Sequence, residues 1–340
     1  MSKKNSNVIL KSNFKNYDEL FHIYSVFKKK LNSFKKKSFL IAVSGGPDSL
    51  ALAALAKSYS YNNRCKIYYV LIDHNLRKNS SNEAKLVKKL LKKYQITLNI
   101  LKNKKPIKNN IQSEAREVRY NLLVNFCKKN KIKNILTAHN LEDQVETFFI
   151  RLSRGSGLRG LSSMKTMSKI SRDINLIRPL LEYKKDRLIE ISKLVFNKYY
   201  TDPSNKNIKY LRTKVRNLKS FLETSGIQYD QIFKSIKNLA SSRDTLDQYF
   251  SKIYKEVINK KKGEIIINLK KFNALNLEMK MNVIQQSIKK ITNSYYSPRS
   301  KKIFNLIDRA KSEKILKHTL GGCLIVRQND HLIIRKEKKK

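Results

Sequence analysis

Cysteine is scarce in this 340-residue chain: only Cys65, Cys127 and Cys323 occur. Three are too few for a disulfide framework, and no C-x-x-C pair is present, which argues against a zinc ribbon or a clustered iron–sulfur site. Acidic residues are also few, 26 Asp and Glu against 74 Lys and Arg, leaving a formal net charge of +48. The longest apolar stretch, residues 39–56, is broken by Gly45, Gly46, Pro47 and Asp48, so it does not make a membrane span. The N-terminus lacks the apolar core and cleavage site of a secretory signal. No fixed-period repeat and no G-x-x-x-x-G-K-[ST] loop is found. The expectation is a soluble, cytoplasmic, strongly basic protein whose 40% hydrophobic content suffices for real cores, in two domains.

The positive charge favours a polyanionic partner, because each phosphate neutralised releases a counterion. Lysine outnumbers arginine 57 to 17 and Asn, Ile and Ser are abundant, a mixture that compositional drift also produces. The charge runs along the whole chain and marks no patch. It supports a nucleic-acid partner without naming one.

Strand-like and helix-like segments alternate through the first half. After a loosely ordered N-terminus (residues 1–20), Phe21, Tyr24, Phe27 and Leu31 have helical spacing. Strands are expected at 38–43, 67–72, 96–100 and 132–137, with helices at 50–57, 82–94, 114–129 and 142–152. This order predicts an α/β fold, a Rossmann-like parallel sheet with helices on both faces. Ligands of such sheets sit at the carboxyl ends of the strands. Three strand ends carry polar clusters: Ser44–Ser49, Asp73–Arg77 and Thr137–Asp143. Segment 162–172 reads as polar and flexible, and Asp202-Pro-Ser-Asn205 as a turn. Beyond Ser225-Gly226 the pattern changes to Lys-rich helices, one strand (264–269) and a terminal hairpin-like stretch (321–335), a smaller helical or α+β domain.

Ser44-Gly45-Gly46-Pro47-Asp48-Ser49, between strand and helix, has the makings of a phosphate cradle. Glycine lets the backbone approach anionic oxygens, and the free amides opening the helix supply donors. Gly155-x-Gly157-x-x-Gly160 matches a dinucleotide pattern but follows a helix, which is the wrong context. It reads better as a loop whose Arg154 and Arg159 meet phosphates.

The Ser-Gly-Gly-x-Asp-Ser loop resembles that of the PP-loop ATP pyrophosphatases. Five more segments narrow the resemblance to the tRNA(Ile)-lysidine synthetases: Asp73-His-Asn-Leu-Arg77, Gln112–Tyr120, Thr137–Thr147, Arg154–Gly160 and Arg178-Pro-Leu-Leu181, with Asp202–Asn205 following. Together they cover residues 39–223. After residue 226 the likeness is loose, carried by Thr319–Cys323. Asn140, Glu142 and Thr213 depart from residues common in that family.

The resemblance implies a reaction. The C2 carbonyl oxygen of the wobble cytidine of a CAU-anticodon tRNA(Ile) attacks the α-phosphate of ATP, pyrophosphate leaves, and free L-lysine displaces AMP. Residues 21–225 would be the catalytic domain and 226–340 a basic tRNA-binding region. ATP and Mg2+ are the expected cofactors, with Ser44, Gly45, Gly46, Pro47, Asp48, Ser49, Asp73 and His74 around the nucleotide. Asp48 and Asp143 are the metal candidates, since Mg2+ takes oxygen ligands. Asp48, His139, Asp143 and Arg119 are the catalytic candidates; Arg77, Arg116, Arg119, Glu142, Arg154, Arg159 and Arg212 are those for tRNA or lysine. The incoming ammonium needs a carboxylate to take its proton, and Asp48, Glu142 and Glu146 all stay open for that role. The rivals are a PP-loop thiolase, against which the scattered cysteines count, and a non-catalytic basic RNA-binding protein. A homodimer is compatible with the sequence.

Overall fold

A computed structural model describes residues 17–35, 38–75, 79–103, 107, 111–201, 210–261, 263–294, 298–313 and 317–337. Arg77 and the Asp202–Asn205 turn lie outside the described residues. The chain divides into two compact units, residues 1–169 with 173–239, and residues 170–172 with 240–340. The division falls between Leu239 and Ala240, inside a 29-residue helix. The composition change at Ser225-Gly226 instead marks the turn before that helix, where Gly226 has φ +85°.

The first unit is built on strands β1 (Ser38–Val43), β2 (Lys66–Asp73), β3 (Leu98–Lys102), β4 (Asn134–Leu136), β5 (Met167–Ser171) and β6 (Ile174–Ile177), in spatial order 3-2-1-4-6-5. β1 pairs in parallel with both β2 and β4, and β4 with β6. The chain winds outward in opposite directions from β1, so a crevice opens between the carboxyl ends of β1 and β4. Segment 162–172, expected to be flexible, contains β5. Its polar side chains hid it, because an edge strand needs few inward residues, here Ile170.

Helix α1 (Asp18–Asn32) buries Leu20, Ile23, Tyr24, Phe27 and Leu31, one helical face. Helix α2 (Pro47–Asn62) opens with Pro47 in its first turn, where a missing N–H costs nothing. Leu50 through Ala56 are all fully buried, so α2 is enclosed on every side. That explains its uniform Leu/Ala sequence: each buried leucine contributes roughly 1.5–3 kcal/mol, and no face is left to be polar. Helices α3 (Ser80–Lys93) and α4 (Ile111–Lys129) follow β2 and β3. Helix α5 (Leu141–Leu152) follows β4, α6 (Leu158–Leu161) is a single turn, and α7 (Lys185–Phe196) joins the core of α1 and α2 through Leu188, Ile191 and Phe196. Helices α8 (Leu211–Asn217) and α9 (Lys219–Thr224) lead into α10 (Tyr229–Val257).

The second unit holds a five-stranded antiparallel sheet in place of the one strand and hairpin expected. Strands β7 (Ile258–Lys261), β8 (Glu264–Asn268), β9 (Lys317–Leu320), β10 (Cys323–Gln328) and β11 (His331–Lys336) are ordered 7-8-11-10-9. Ile265, Ile267, Cys323, Ile325, Leu332 and Ile334 alternate inward, against α11 (Leu269–Asn273), α12 (Leu277–Thr292) and α13 (Ser300–Ser312). Gly321 and Gly322, both at positive φ, form the two-residue β9–β10 turn, which needs that conformation at both positions. Among the described residues no helix is long and apolar enough to cross a membrane.

Candidate active site

Four strand ends converge on the crevice. From β1 comes the loop Ser44–Gly46, with Gly45 at φ +87°. A Cβ there would lie 2.5 Å from Val87 Cγ2, so both the turn and the close approach demand glycine. The Ser49 hydroxyl fills the inside of the turn: it accepts from the amides of Ser44 and Gly45, each at 3.1 Å, and donates to the Gly46 carbonyl at 2.9 Å. Ser49 therefore shapes the loop from within. The donors that face outward are the amides of Asp48 and Ser49. They lie in the first turn of a helix without a side-chain cap and have no partner within it.

Asp48 sits beside those amides. Its Oδ1 is buried with no hydrogen-bond partner. Burial, then the Asp143 carboxylate, pushes its pKa up to about 7, against opposing effects of Lys185 and Asn140. A lone oxygen on a carboxyl group that burial and a neighbouring carboxylate keep from ionising fits an oxygen-seeking dication. Asp143 is more committed. It forms a reciprocal capping box with Asn140 (Asp143 N–H to Asn140 Oδ1 at 2.9 Å, Asn140 N–H to Asp143 Oδ2 at 3.1 Å), and its Oδ1 accepts from Arg212 at 3.2 Å. Two carboxylates are the usual protein share for Mg2+ bound together with phosphates.

Because the proton on Asp48 must leave before a dication binds, Mg2+ affinity should rise about tenfold per pH unit from pH 5 to about 7 and level off above. Calorimetry at several pH values checks this, with proton release that vanishes in Asp48→Asn. A flat profile would contradict the assignment.

From β4 comes His139, its Nδ1 3.0 Å from the Thr137 hydroxyl. Its ring is held well below the usual histidine range, first by desolvation and then by the charges of Arg178, Arg116, Arg212 and Arg119. It is thus a neutral imidazole among four guanidinium groups. Arg178, at the end of β6, is itself buried and donates to the Lys165 carbonyl at 2.8 Å. Arg119 reaches solvent, yet the recess is deep enough that desolvation lowers its pKa. Neutral imidazoles and several guanidinium groups together make an anion-seeking wall.

From β2 comes Asp73, whose oxygens are taken locally by the Asn75 amide and the hydroxyls of Ser80 and Ser81. Burial raises its pKa, but these bonds outweigh that and hold it below the ordinary carboxylate value. Asp73 thus ties β2 to the start of α3. His74 keeps a buried Nδ1 without a partner, and burial followed by Arg119 lowers its pKa to about 4, so this ring is neutral too.

Glu146 is the fourth component. It is buried, and it accepts from Arg212 Nε at 2.6 Å and Arg216 Nε at 2.8 Å, fastening α8 to α5. Glu142 accepts from the Lys185 amide at 2.9 Å, at the start of α7.

The comparisons with known proteins agree with this arrangement. The PP-loop domain family matches residues 20–220. The chain is 33% identical over 319 residues to the tRNA(Ile)-lysidine synthase of Wolbachia pipientis wMel, covering 92% of this chain and 74% of that protein. It is also 33% identical to that of Rickettsia typhi, over 94% of this chain and 75% of the relative. The chain belongs to the tRNA(Ile)-lysidine synthase family. Among solved structures, the U34-tRNA thiolase NcsA from Methanococcus maripaludis, with its [4Fe-4S] cluster, shares the fold: TM-score 0.55 at 19% identity, covering 65% of this chain and 78% of that one. In this lysidine synthase family member Cys65 lies just before β2, at the end of the sheet away from the crevice. Cys127 is buried in α4, and Cys323 belongs to the second unit. Burial raises the thiols of Cys127 and Cys323 to about 12 and 11, so neither offers a thiolate.

The structure gathers Ser44–Ser49, His74, Arg116, Arg119, His139, Asp143 and Arg212 around one recess. Arg154 stands apart. It follows the far end of α5, about 16 Å along the helix axis from Asp143 at 1.5 Å per residue. The Gly155–Gly160 turn is closed by Arg151, whose guanidinium donates to the carbonyls of Gly160 and Ser163. Residues the sequence did not single out for the site are Thr137, Arg178 and Arg216, along with the arginine-holding role of Glu146. Arg212-x-x-x-Arg216 spacing was the available sign of a paired clamp.

Proposed function

We propose that this enzyme is an ATP-dependent ligase that converts the wobble cytidine of a CAU-anticodon tRNA(Ile) to lysidine. ATP would adenylate the cytidine O2 with loss of pyrophosphate. The lysine ε-amine would then form a bond to C2 as the C2–O bond breaks and AMP departs. What carries the reading is the junction of β1 and α2, where two outward helix amides lie beside an unpartnered carboxylate oxygen, opposite the guanidinium-ringed His139.

The amides of Asp48 and Ser49 would hold phosphate oxygens as charge gathers on them. Asp48 and Asp143 would hold Mg2+, which when bound neutralises the departing pyrophosphate. Arg116 and Arg119 suit bidentate contact with the triphosphate or the tRNA backbone. His139, neutral and held at Nδ1 by Thr137, would meet the substrate through Nε2 without adding charge. A free lysine amine has a pKa near 10.4 and needs a carboxylate to take its proton. Glu142 and Glu146 are occupied by Lys185 and the two arginines, whereas Asp48 keeps an open oxygen.

The test is incubation with ATP, Mg2+, lysine and a CAU-anticodon tRNA(Ile) transcript. Lysine-dependent AMP release with lysine incorporated into RNA is the expected result; sulfur-dependent turnover, or none, would overturn the reading. With 74 basic residues facing a polyanion, tRNA affinity should fall about a hundredfold between 50 and 200 mM salt, the slope for about four phosphate contacts. Filter binding across that range checks it.

A further inference from the structure

Helices α8 and α9 meet at Leu218, whose φ of −73° and ψ of −12° keep the backbone helical through the junction. Spacing therefore carries across it, and Leu211, Lys214, Leu218 and Phe221 fall three, four and three residues apart on one outward face. All four are exposed, Phe221 at 68%. The opposite face is committed inward. Arg212 and Arg216 bond Glu146 and Lys219 lies 3.6 Å from Glu142, while Leu222, beside Leu218, closes the edge of the stripe against the cluster of Leu141, Val145 and Tyr229. The outward stripe is thus rigidly fixed to α5, the helix whose first turn carries Asp143.

The exposed phenylalanine stands on a stripe with two leucines and Lys214, while the other cations of residues 210–222, Arg212, Arg216 and Lys219, face Glu146, Asp143 and Glu142. An exposed aromatic ring with an exposed lysine on the same stripe, on a chain of net charge +48, matches the chemistry of unpaired nucleotides, whose bases stack while their phosphates pair. We infer that the α8–α9 face is a platform for single-stranded RNA, with Phe221 stacking on an unpaired base next to the reacting nucleotide. This rests on the proposed tRNA substrate and adds the surface that would hold the loop open. Charge complementarity selects RNA over a second copy of this chain, which carries the same +48.

The chain contains no tryptophan, so Phe221→Trp installs a single reporter. Its emission should be quenched by a CAU-anticodon stem-loop RNA and much less by a fully paired RNA duplex of equal length. Phe221→Ala should weaken stem-loop binding roughly tenfold, the cost of losing one stacked base, with Phe221→Tyr restoring it. Equal quenching by both RNAs, or stem-loop binding that leaves the emission unchanged, would overturn the platform. So would emission that shifts with protein concentration in the absence of RNA, which would assign the face to self-association. Failure of the wild type to release AMP in a lysine-dependent way would sink the proposed reaction instead and would leave the quenching result standing.

Discussion

Asp48→Ala should abolish pyrophosphate release from ATP while leaving tRNA affinity within a few-fold of wild type. Asp48 Oδ1 is buried, acidic and without a hydrogen-bond partner, so removing the side chain costs the fold little beyond its bond to Asn140. Removing it takes away a charge that burial and Asp143 already make costly, and the variant should unfold at a temperature equal to or above that of the wild type. The sign follows from the raised pKa. The folded state holds its proton between about pH 4 and 7 while the unfolded chain releases it, so the native carboxyl loses stability as pH rises through that window. Loss of turnover of about a thousandfold or more, with undiminished stability, would mark a group that serves chemistry. Loss of tRNA binding or of folding would mark it as structural.

Glu146→Ala should behave in the opposite way. This carboxylate is 2% exposed and accepts three bonds from Arg212 and Arg216. Deleting it leaves two guanidinium groups facing each other; because both are about a third exposed, the cost is roughly 1–3 kcal/mol, below that of a fully buried pair. A domain of this size would lose several degrees of thermal stability. Because Arg212 also reaches Asp143, the recess should be disturbed along with the fold. Glu146→Gln, which keeps the shape and can accept one bond, should recover part of both. If the alanine variant is as stable as wild type, α8 is held by something other than this clamp.

Much of the site was legible because its parts are local. A hydrophobic run ending in Ser44-Gly45-Gly46-Pro47 announces a strand, a tight turn and a helix start within ten residues, and all three are present. Asp73 and His139 were placed by the same logic, since strand ends of a parallel sheet converge. The contacts that set charge and burial were harder to read, because they join distant segments. Glu146 and Arg212 are 66 residues apart, and in sequence Glu142 and Glu146 look like an ordinary solvated pair one helical turn apart. Asp73 was expected at the nucleotide, but its two oxygens serve the turn into α3, a role decided by Ser80 and Ser81. Asn140 looked like a departure from the family and proves to be the helix cap that Asp143 reciprocates.

The two walls of the recess are attached by different means. The phosphate-loop wall grows from α2, which is embedded in leucine and alanine on every side. The arginine wall, α8, is tied down chiefly by ions at Glu146 and Asp143. Apolar anchorage is indifferent to dissolved salt and to incoming charges; ionic anchorage is not. A polyanion entering between them would compete for the same guanidinium groups, so the hold on α8 should weaken with rising salt more than the hold on the phosphate-loop wall.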